Sequence, residues 1–328
     1  MNKFAVIAPY FGKLKPSFAL WYQSAIRNSD VDFFIFSDDT PVDIPADNIK
    51  WIPFTLQDFN ELAIQKLGIN FTIKHPYKLC DFKPMYGVIF EDYIKGHDYW
   101  TYGDLDVVYG KITEYLEKID YQKYYKINHA GHFCFIKNIP EATELFKAHV
   151  DGSQDYQNVL ESRNIAFDEL DMNVKTRALQ IPFYDGTFAA DIMNEKGMQC
   201  VDAKTAKLVF KRENSMPLPK NYHYQLFVTE NGRIYRYYRK GLKVKRDEFC
   251  YIHYRLELPI NLSDISSDTY LFSFQDRGFW DVDVVKLKKL RSFMKLVKKY
   301  NNRKPLLIEK FDAVINLLKR KFKKNTNE

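Results

Sequence analysis

The segment Trp100-Thr-Tyr-Gly-Asp-Leu-Asp-Val-Val-Tyr-Gly110 sets two acids one residue apart, Asp104 and Asp106, inside an otherwise aromatic and apolar stretch. Two carboxylates so spaced at a strand end can engage a hard divalent cation, one directly and the other directly or through water. Mg²⁺ or Mn²⁺ accepts such a sparse oxygen site when phosphate oxygens complete its octahedron. The tripeptide alone also suits a solvated turn. Its neighbours Tyr99, Trp100, Tyr102, Val107, Val108 and Tyr109 weigh against that, because burying acids among them without a cation is costly.

The elements that must carry these acids are legible around them. Residues 4–8 form a short apolar run ended by Pro9, and 17–27 repeat apolar side chains at helical spacing. Continuous apolar runs at 31–36 and 49–54 predict further buried strands. Residues 55–67 predict a helix with Thr55 and Asp58 as a capping box. A longer helix is predicted over 76–94 and a strand over 98–103. Strands and helices in this alternation predict an α/β fold, a Rossmann-like mixed sheet flanked by helices. The Asp-x-Asp then falls near the carboxyl end of a central strand, where open α/β sheets bind ligands. Beyond it the pattern predicts a strand at 132–136, a helix at 141–149, a hairpin over 227–238 around Asn231-Gly232, and a last strand at 249–254.

Composition narrows the class. With 328 residues, 46% apolar and 28% charged, the chain suits one large folded domain with an appendage, or two domains. Aromatic residues reach 16%, which serves core packing first and is compatible with a sugar-binding cleft. Cys80, Cys134, Cys200 and Cys250 are scattered without a CxxC pair, so neither a zinc site nor a disulfide framework is indicated. No apolar run reaches the roughly 18 residues of a membrane span. Pro9 and Gly12 come too early for a signal peptide, so the expected location is the cytoplasm.

Several blocks in chain order carry a resemblance: Tyr77-Lys-Leu-Cys-Asp-Phe-Lys-Pro84, Gly87-Val-Ile-Phe90, Tyr99-Trp-Thr-Tyr-Gly-Asp-Leu-Asp106, Ala130-Gly-His-Phe133, Phe167-Asp-Glu169, Ala190-Asp-Ile192 and Tyr251-Ile-His-Tyr254. Over roughly residues 1–256 the chain resembles GT-A glycosyltransferases, in particular a bacterial glycosyltransferase-like family of surface-polysaccharide genes. The resemblance implies a nucleotide-sugar donor, a uridine diphosphate sugar above all, with Mn²⁺ or Mg²⁺ held by Asp104 and Asp106 and by His253 as a late histidine ligand. It places the base and ribose near Ala8, Pro9, Tyr10 and Phe11, with Asp38 and Asp39 as the acids closing the second strand. Asp81 is then expected on the ribose or base, and Lys83 or Lys78 on the diphosphate. Retaining relatives carry Lys a few residues beyond the late His. This chain has Arg255 there, whose planar fork also suits phosphate.

An inverting transferase needs a carboxylate base on the acceptor hydroxyl. Asp168, Glu169 and Asp171 are the candidates, with Asp191 behind them, while the same acids also suit a helix N-terminus. His253 favours a retaining mechanism, in which the leaving phosphate takes the proton; both stereochemistries stand. His132, beside Gly131, is a candidate for lining the acceptor or donor-sugar pocket. The expected acceptor is a glycan or lipid-linked glycan.

From residue 284 the composition turns basic. Between Lys286 and Lys324, 15 Lys and Arg meet only Glu309 and Asp312, although the whole chain is only +7. Apolar residues at Leu287, Leu290, Phe293, Met294, Val297 and Tyr300, then at Leu307, Phe311, Val314, Ile315, Leu318 and Phe322, predict two basic amphipathic helices broken near Pro305. The chain thus divides into a catalytic domain over 1–256, a connecting segment over 257–283 and a basic helical extension over 284–328. Residues 284–324 suit an anionic membrane surface, which implies peripheral attachment to the inner face of the cell membrane. No nucleic-acid module accompanies the charge, so nucleic acid is not an expected partner. Two other classes fit parts of the pattern. One is a membrane-bound scaffold that keeps the fold without turnover. The other is a haloacid-dehalogenase-like phosphatase, whose Asp-x-Asp belongs on the first strand.

Overall fold

The computed structural model describes residues 3–39, 46–161, 165–186, 189–193, 197–200, 222, 224–254, 270–273 and 278–300. In chain order, β1 (Phe4–Tyr10), α1 (Phe18–Ile26), β2 (Val31–Ser37), β3 (Ile49–Pro53), α2 (Leu56–Leu67), β4 (Tyr99–Gly103), β5 (Val107–Tyr109), α3 (Ile112–Lys118), β6 (Lys126–Ile127), β7 (Phe133–Lys137), α4 (Asp171–Ala178) and β8 (Phe183–Tyr184) make the first part. Seven of these strands form one sheet in the order β3-β2-β1-β4-β7-β6-β8. Strands β3, β2, β1 and β4 run parallel, and β7 turns antiparallel to β4. The order 3-2-1-4 is that of a Rossmann-like half, and the reversal of strand order between β1 and β4 marks the carboxyl ends of these strands as the ligand-binding end.

The continuous apolar runs are explained by burial on both faces. Along β1, Phe4, Val6 and Ala8 enter a core shared with Trp21, Phe33, Tyr109 and Tyr251. Ala5 and Ile7 enter the opposite core with Phe59, Phe82, Tyr86 and Trp100. Thr55 caps α2 as expected: its hydroxyl accepts from Asp58 N–H at 3.1 Å while the Asp58 carboxylate accepts from Thr55 N–H at 2.8 Å.

The helix predicted over 76–94 is a chain of short pieces: a 3₁₀ turn at Pro76–Lys78, α at Leu79–Phe82, 3₁₀ at Lys83–Met85, then α at Tyr86–Ile89 and Glu91–Ile94. Pro84 has no N–H to continue the ladder and crowds the preceding turn. Gly87 then lets this segment lie on β4, since a Cβ there would sit 2.4 Å from the Trp100 ring. The helix predicted over 141–149 is likewise shorter, Pro140–Thr143 followed by 3₁₀ Leu145–Lys147, because Glu144 at ψ 7° leaves the helical basin.

The later strands are β9 (Ala189–Met193), β10 (Gly197–Cys200), β11 (Gln225–Glu230), β12 (Arg233–Lys240), β13 (Lys243–Phe249), β14 (Tyr251–His253), β15 (Tyr270–Ser273) and β16 (Gly278–Asp281). They make a four-stranded sheet β10-β9-β14-β5 and a five-stranded antiparallel sheet β13-β12-β11-β15-β16. Asn231 and Gly232, at φ 52° and 73°, form the expected β11–β12 turn. The strand predicted over 249–254 is not the last: β15 and β16 lie in the stretch expected only to connect, where β15 satisfies the free edge of β11. Helices α5 (Val284–Lys288) and α6 (Leu290–Tyr300) bury Leu287, Phe293, Val297 and Tyr300 against Leu226, Val228 and Tyr237 of this sheet. The helix expected over 307–322 lies outside the described residues. Among the described residues no helix is long and apolar enough to cross a membrane. Cys80, Cys134 and Cys250 are free thiols.

One buried residue beside β6 sets an acid limit on stability. His129 is 3% exposed, and neither ring nitrogen has a hydrogen-bond partner among the described residues. Burial first, then the charges of Lys126 and Arg177, push its pKa down to about 3. In the unfolded chain a histidine titrates near 6.5. Between those values the unfolded state binds the extra proton, so the contribution is present above about pH 6.5 and is lost as pH falls, at roughly 1.4 kcal/mol per unit. Acidification from pH 7 to 5 is therefore expected to cost about 2 kcal/mol at this residue alone. His129→Phe should flatten the difference between urea unfolding curves at the two pH values; equal pH dependence in both proteins would refute the account.

Candidate active site

Strand β4 ends at Gly103 and the chain crosses through Asp104, Leu105 and Asp106 into β5. Two backbone bonds fix this crossing: Asp104 N–H donates to the His132 carbonyl at 3.0 Å, and Tyr254 N–H donates to the Asp106 carbonyl at 2.9 Å. Strand β14 pairs antiparallel with β5, setting His253 opposite Val107. One ligand atom each from Asp104, Asp106 and His253 consequently lies within 4.8 Å of the others. His253 Nε2 is 3.3 Å from Asp106 Oδ2. The His132 ring stacks on His253 at 3.9 Å and 20°, and its Nδ1 lies 3.1 Å from the Tyr251 hydroxyl, so the plane of the His253 imidazole is set from behind.

Lys83 is the counter-charge. Its Nζ lies 2.6 Å from Asp104 Oδ1 and 3.9 Å from Asp168 Oδ2, and donates to the Gly131 carbonyl at 2.6 Å. Burial works against its charge, but Asp104, Cys80 and Asp168 outweigh this and hold the ammonium well above the usual lysine range. Burial raises the Asp104 pKa, opposed by Lys83 and reinforced by Asp106. The Asp104 side chain keeps 31% of its surface open, so solvent moderates that rise. Asp168 is closed in and is pushed well above the carboxylate range, by burial first and then by Glu169 and Asp104 against Lys83.

The loop after β6 completes this corner. Gly131 leaves no room for a side chain, since a Cβ there would sit 2.3 Å from Asp168 Oδ2. Gly131 N–H donates to Glu169 Oε1 at 2.9 Å, and His132 Nε2 is 4.0 Å from the same oxygen. Asn128, at φ 73°, donates to the Phe133 carbonyl at 2.7 Å and to the Tyr251 hydroxyl at 3.1 Å.

At the mouth, Ala8 is buried in β1, Pro9 and Tyr10 are half-buried at its carboxyl end, and Phe11 packs inward. Asp38 accepts from Gly12 N–H at 2.7 Å and Asp39 from Leu14 N–H at 2.9 Å, so both acids fold the β1–α1 loop over this end. Burial first, then Asp106, Asp39 and Asp38, raise the Tyr10 pKa. Tyr10 thus shares the electrostatic environment of the acid pair.

Other expected residues are engaged elsewhere. Asp81 is fully buried: its carboxylate accepts from Phe167 N–H at 2.9 Å and Ile165 N–H at 3.1 Å, and Lys78 Nζ is 2.7 Å away. Backbone amides and a lysine thus already engage the oxygens that a contact with ribose or base would use. Lys78 also donates to the Val159 carbonyl at 2.6 Å, so the pair pins neighbouring loops. Asp171 accepts from Gln154 N–H at 2.7 Å. Asp191 lies in β9, paired with His253 in register. Arg255 lies outside the described residues.

Three supports were not singled out in the sequence. Tyr254 is fully buried and its hydroxyl donates toward the Ser17 and Leu105 carbonyls, at 2.9 and 3.3 Å, joining the start of α1 to the Asp-x-Asp crossing. Asn28 bridges the end of α1 to the end of β5 through Gly110 O and Ile112 N–H. Asn128 gave one legible sign, an Asn ahead of a Gly-containing turn, where a left-handed backbone is tolerated.

Two carboxylates and an imidazole converging from a strand end and a neighbouring strand form a donor set suited to Mn²⁺ or Mg²⁺. Burial first, reinforced by Asp106 against Lys83, disfavours the charged form of Asp104, a cost that a divalent cation at this corner would offset.

Similar folds among solved structures include galactosyltransferase LgtC in complex with donor and acceptor sugar analogs, at 10% identity and TM-score 0.33 over 58% of this chain and 76% of that one. Glycosyltransferase GlyE of Streptococcus pneumoniae TIGR4 matches at 14% identity and TM-score 0.27, over 57% of this chain and 45% of its own. Mouse xyloside xylosyltransferase 1 matches at 10% identity and TM-score 0.34, over 58% and 88%. With TM-scores of this size the likeness is partial, and the site has to be understood from its own geometry. No curated protein matches the chain in sequence. Residues 6–276, which run past the expected boundary at 256 and through β15, match the family of unknown function DUF6625, and the chain belongs to that family.

Proposed function

We infer that this protein is a metal-dependent glycosyltransferase that moves a sugar from a nucleotide diphosphate sugar, a uridine diphosphate sugar in the fullest form of the reading, to a glycan or lipid-linked glycan acceptor. The observation that carries this is the convergence of Asp104, Asp106 and His253 at the carboxyl end of the central parallel strands. The further setting, synthesis of a bacterial surface polysaccharide at the inner face of the cell membrane with residues 284–324 against anionic lipid, belongs to the same proposal. It draws support from the motif order and the basic charge of that segment.

Asp104, Asp106 and His253 would hold Mn²⁺ or Mg²⁺, which when bound supplies the positive charge that a departing diphosphate requires. The protein's own groups do the positioning. Lys83 fixes the Asp104 carboxylate, so the acid pair is set before substrate arrives, and a site organised in advance loses little on binding. His132 holds the His253 ring by stacking. The half-buried end of β1, with Tyr10, offers a surface for the base and ribose. Among the candidate bases Glu169 keeps 22% of its side chain open and Asp168 only 5%, which favours Glu169 as the group meeting an acceptor hydroxyl if the transfer inverts. Asp168 acts from behind, through Lys83 and against Gly131.

Titration of the protein with uridine diphosphate, with and without Mn²⁺, tests the assignment. Binding that needs the metal and is lost in Asp106→Asn is expected, with donor hydrolysis falling by more than the ~10–100-fold typical of an outer-shell partner. Metal-independent binding, or unchanged hydrolysis in the variant, would sink it. Separately, Gly131→Ala should push Asp168 and Glu169 aside and cost roughly 1–3 kcal/mol of stability. Turnover should then fall further than nucleotide affinity, as read by urea unfolding and by nucleotide titration.

A further inference from the structure

The basic C-terminal helices cannot offer a greasy face to a bilayer where they are described, because Leu287, Phe293, Val297 and Tyr300 already cover the antiparallel sheet. Residues 284–300 instead present charge: seven Lys or Arg and no acid. The most exposed large apolar side chain among the described residues lies elsewhere. Leu242, at the tip of the β12–β13 hairpin, is 82% exposed and is flanked by Lys240 and Lys243. Its turn is fixed by Gly241 at φ 61° and by the Arg239 side chain, which donates to the Gly241 carbonyl at 2.8 Å. Tyr224, 36% exposed, lies alongside: its carbonyl accepts from Arg239 N–H at 3.0 Å and its ring is 5.6 Å from the guanidinium.

The charges of this sheet are sorted along its length. Residues 239–246 contain five bases and no acid. The acids Asp247 and Glu248 follow toward the other end of β13, where they pair with Arg236, Arg233 and Lys118. Between the two basic elements lies a cavity of about 430 Å³ lined by Tyr237, Val244, Lys245, Arg246 and Lys288. Glu230 already partners Arg246 at 3.1 Å, so the charge this notch offers a ligand comes mainly from Lys288. An apolar tip, an aromatic side chain beside it, and cations on both flanks are the features of an element that sits at a membrane interface.

We propose that the β12–β13 hairpin docks this protein on an anionic lipid bilayer, with Leu242 entering the acyl boundary, Lys240 and Lys243 reaching back to the headgroups, and the notch beside Lys288 receiving a lipid phosphate. The occupant follows from charge complementarity: the surface is cationic around one apolar wedge. This deepens the membrane part of the reading above by giving it a site outside residues 301–328. It does not depend on the chemistry of the Asp-x-Asp corner.

The test uses the full-length chain and vesicles of phosphatidylcholine alone or with phosphatidylglycerol. Sedimentation with the anionic vesicles only is expected, weakening as salt rises. Leu242→Ser should bind about tenfold more weakly, and the Lys240→Glu/Lys243→Glu double variant more weakly still. Leu242→Trp should shift its emission to the blue on anionic vesicles. Nucleotide binding by Leu242→Ser, measured alongside, should equal that of the parent, so failure here and failure of the transferase assignment are distinguishable. The proposal is overturned if the parent ignores anionic vesicles, or if Leu242→Ser binds as the parent does. It is equally overturned if Leu242→Trp emission stays unmoved in the sedimented fraction, which would mark a general polyanion surface, nucleic acid included.

Discussion

Carboxylates held together in a recess at the end of a buried strand are the constraint on which the rest of this molecule depends. Asp104 and Asp168 converge on one lysine, with Asp106 beside the first and Glu169 beside the second, and in a low-dielectric recess such crowding is unfavourable unless each charge is answered. Lys83 answers Asp104 from within the protein. Its place depends on the broken helical path over 76–94, which depends in turn on Pro84 and on the bare Gly87 against Trp100. Several features that look local, a proline, a glycine and a tryptophan, therefore serve one electrostatic arrangement.

The pairing of β14 with β5 is the second requirement. It brings His253 to the acid pair, and the adjoining Tyr254 binds both the Asp-x-Asp crossing and the loop before α1. The surface that would receive a nucleotide base and the corner that would receive its diphosphate are thus tied through one buried phenol. Stacked His132 adds rigidity from the other side. Precision here comes from strands and buried rings, with loops contributing only where glycine permits close contact.

Much of this was legible in the sequence, and the limits have physical reasons. Strands buried on both faces announce themselves as continuous apolar runs, which is why β1 and β4 fall where the runs at 4–8 and 98–103 lie, while β2 and the partly exposed edge strand β3 still coincide with the runs at 31–36 and 49–54. Asp104, Asp106 and His253 stood out because metal-ligating residue types recur in a motif order. The partners of Asp81 were not legible: backbone amides of residues 165 and 167 carry no side-chain signature, so nothing in the sequence announces that they engage a carboxylate. The strands β15 and β16 were missed because they are short and mixed in polarity, and only the unpaired edge of β11 explains them. The apolar stripe of α5 and α6 was read correctly as a stripe, but periodicity cannot say whether lipid or protein covers it.

The late position of β14 in the chain has a consequence for biogenesis. Synthesis runs from the amino terminus, and domains begin to form as they emerge from the ribosome. The nascent polypeptide would expose both aspartates and the whole parallel sheet well before the imidazole that completes the corner has been translated. Because that contact joins distant parts of the chain, it is also among the slower ones to form. A partly made chain can therefore hold both aspartates on the parallel sheet while still lacking the His253 imidazole, so the three-residue corner is completed as a single late event.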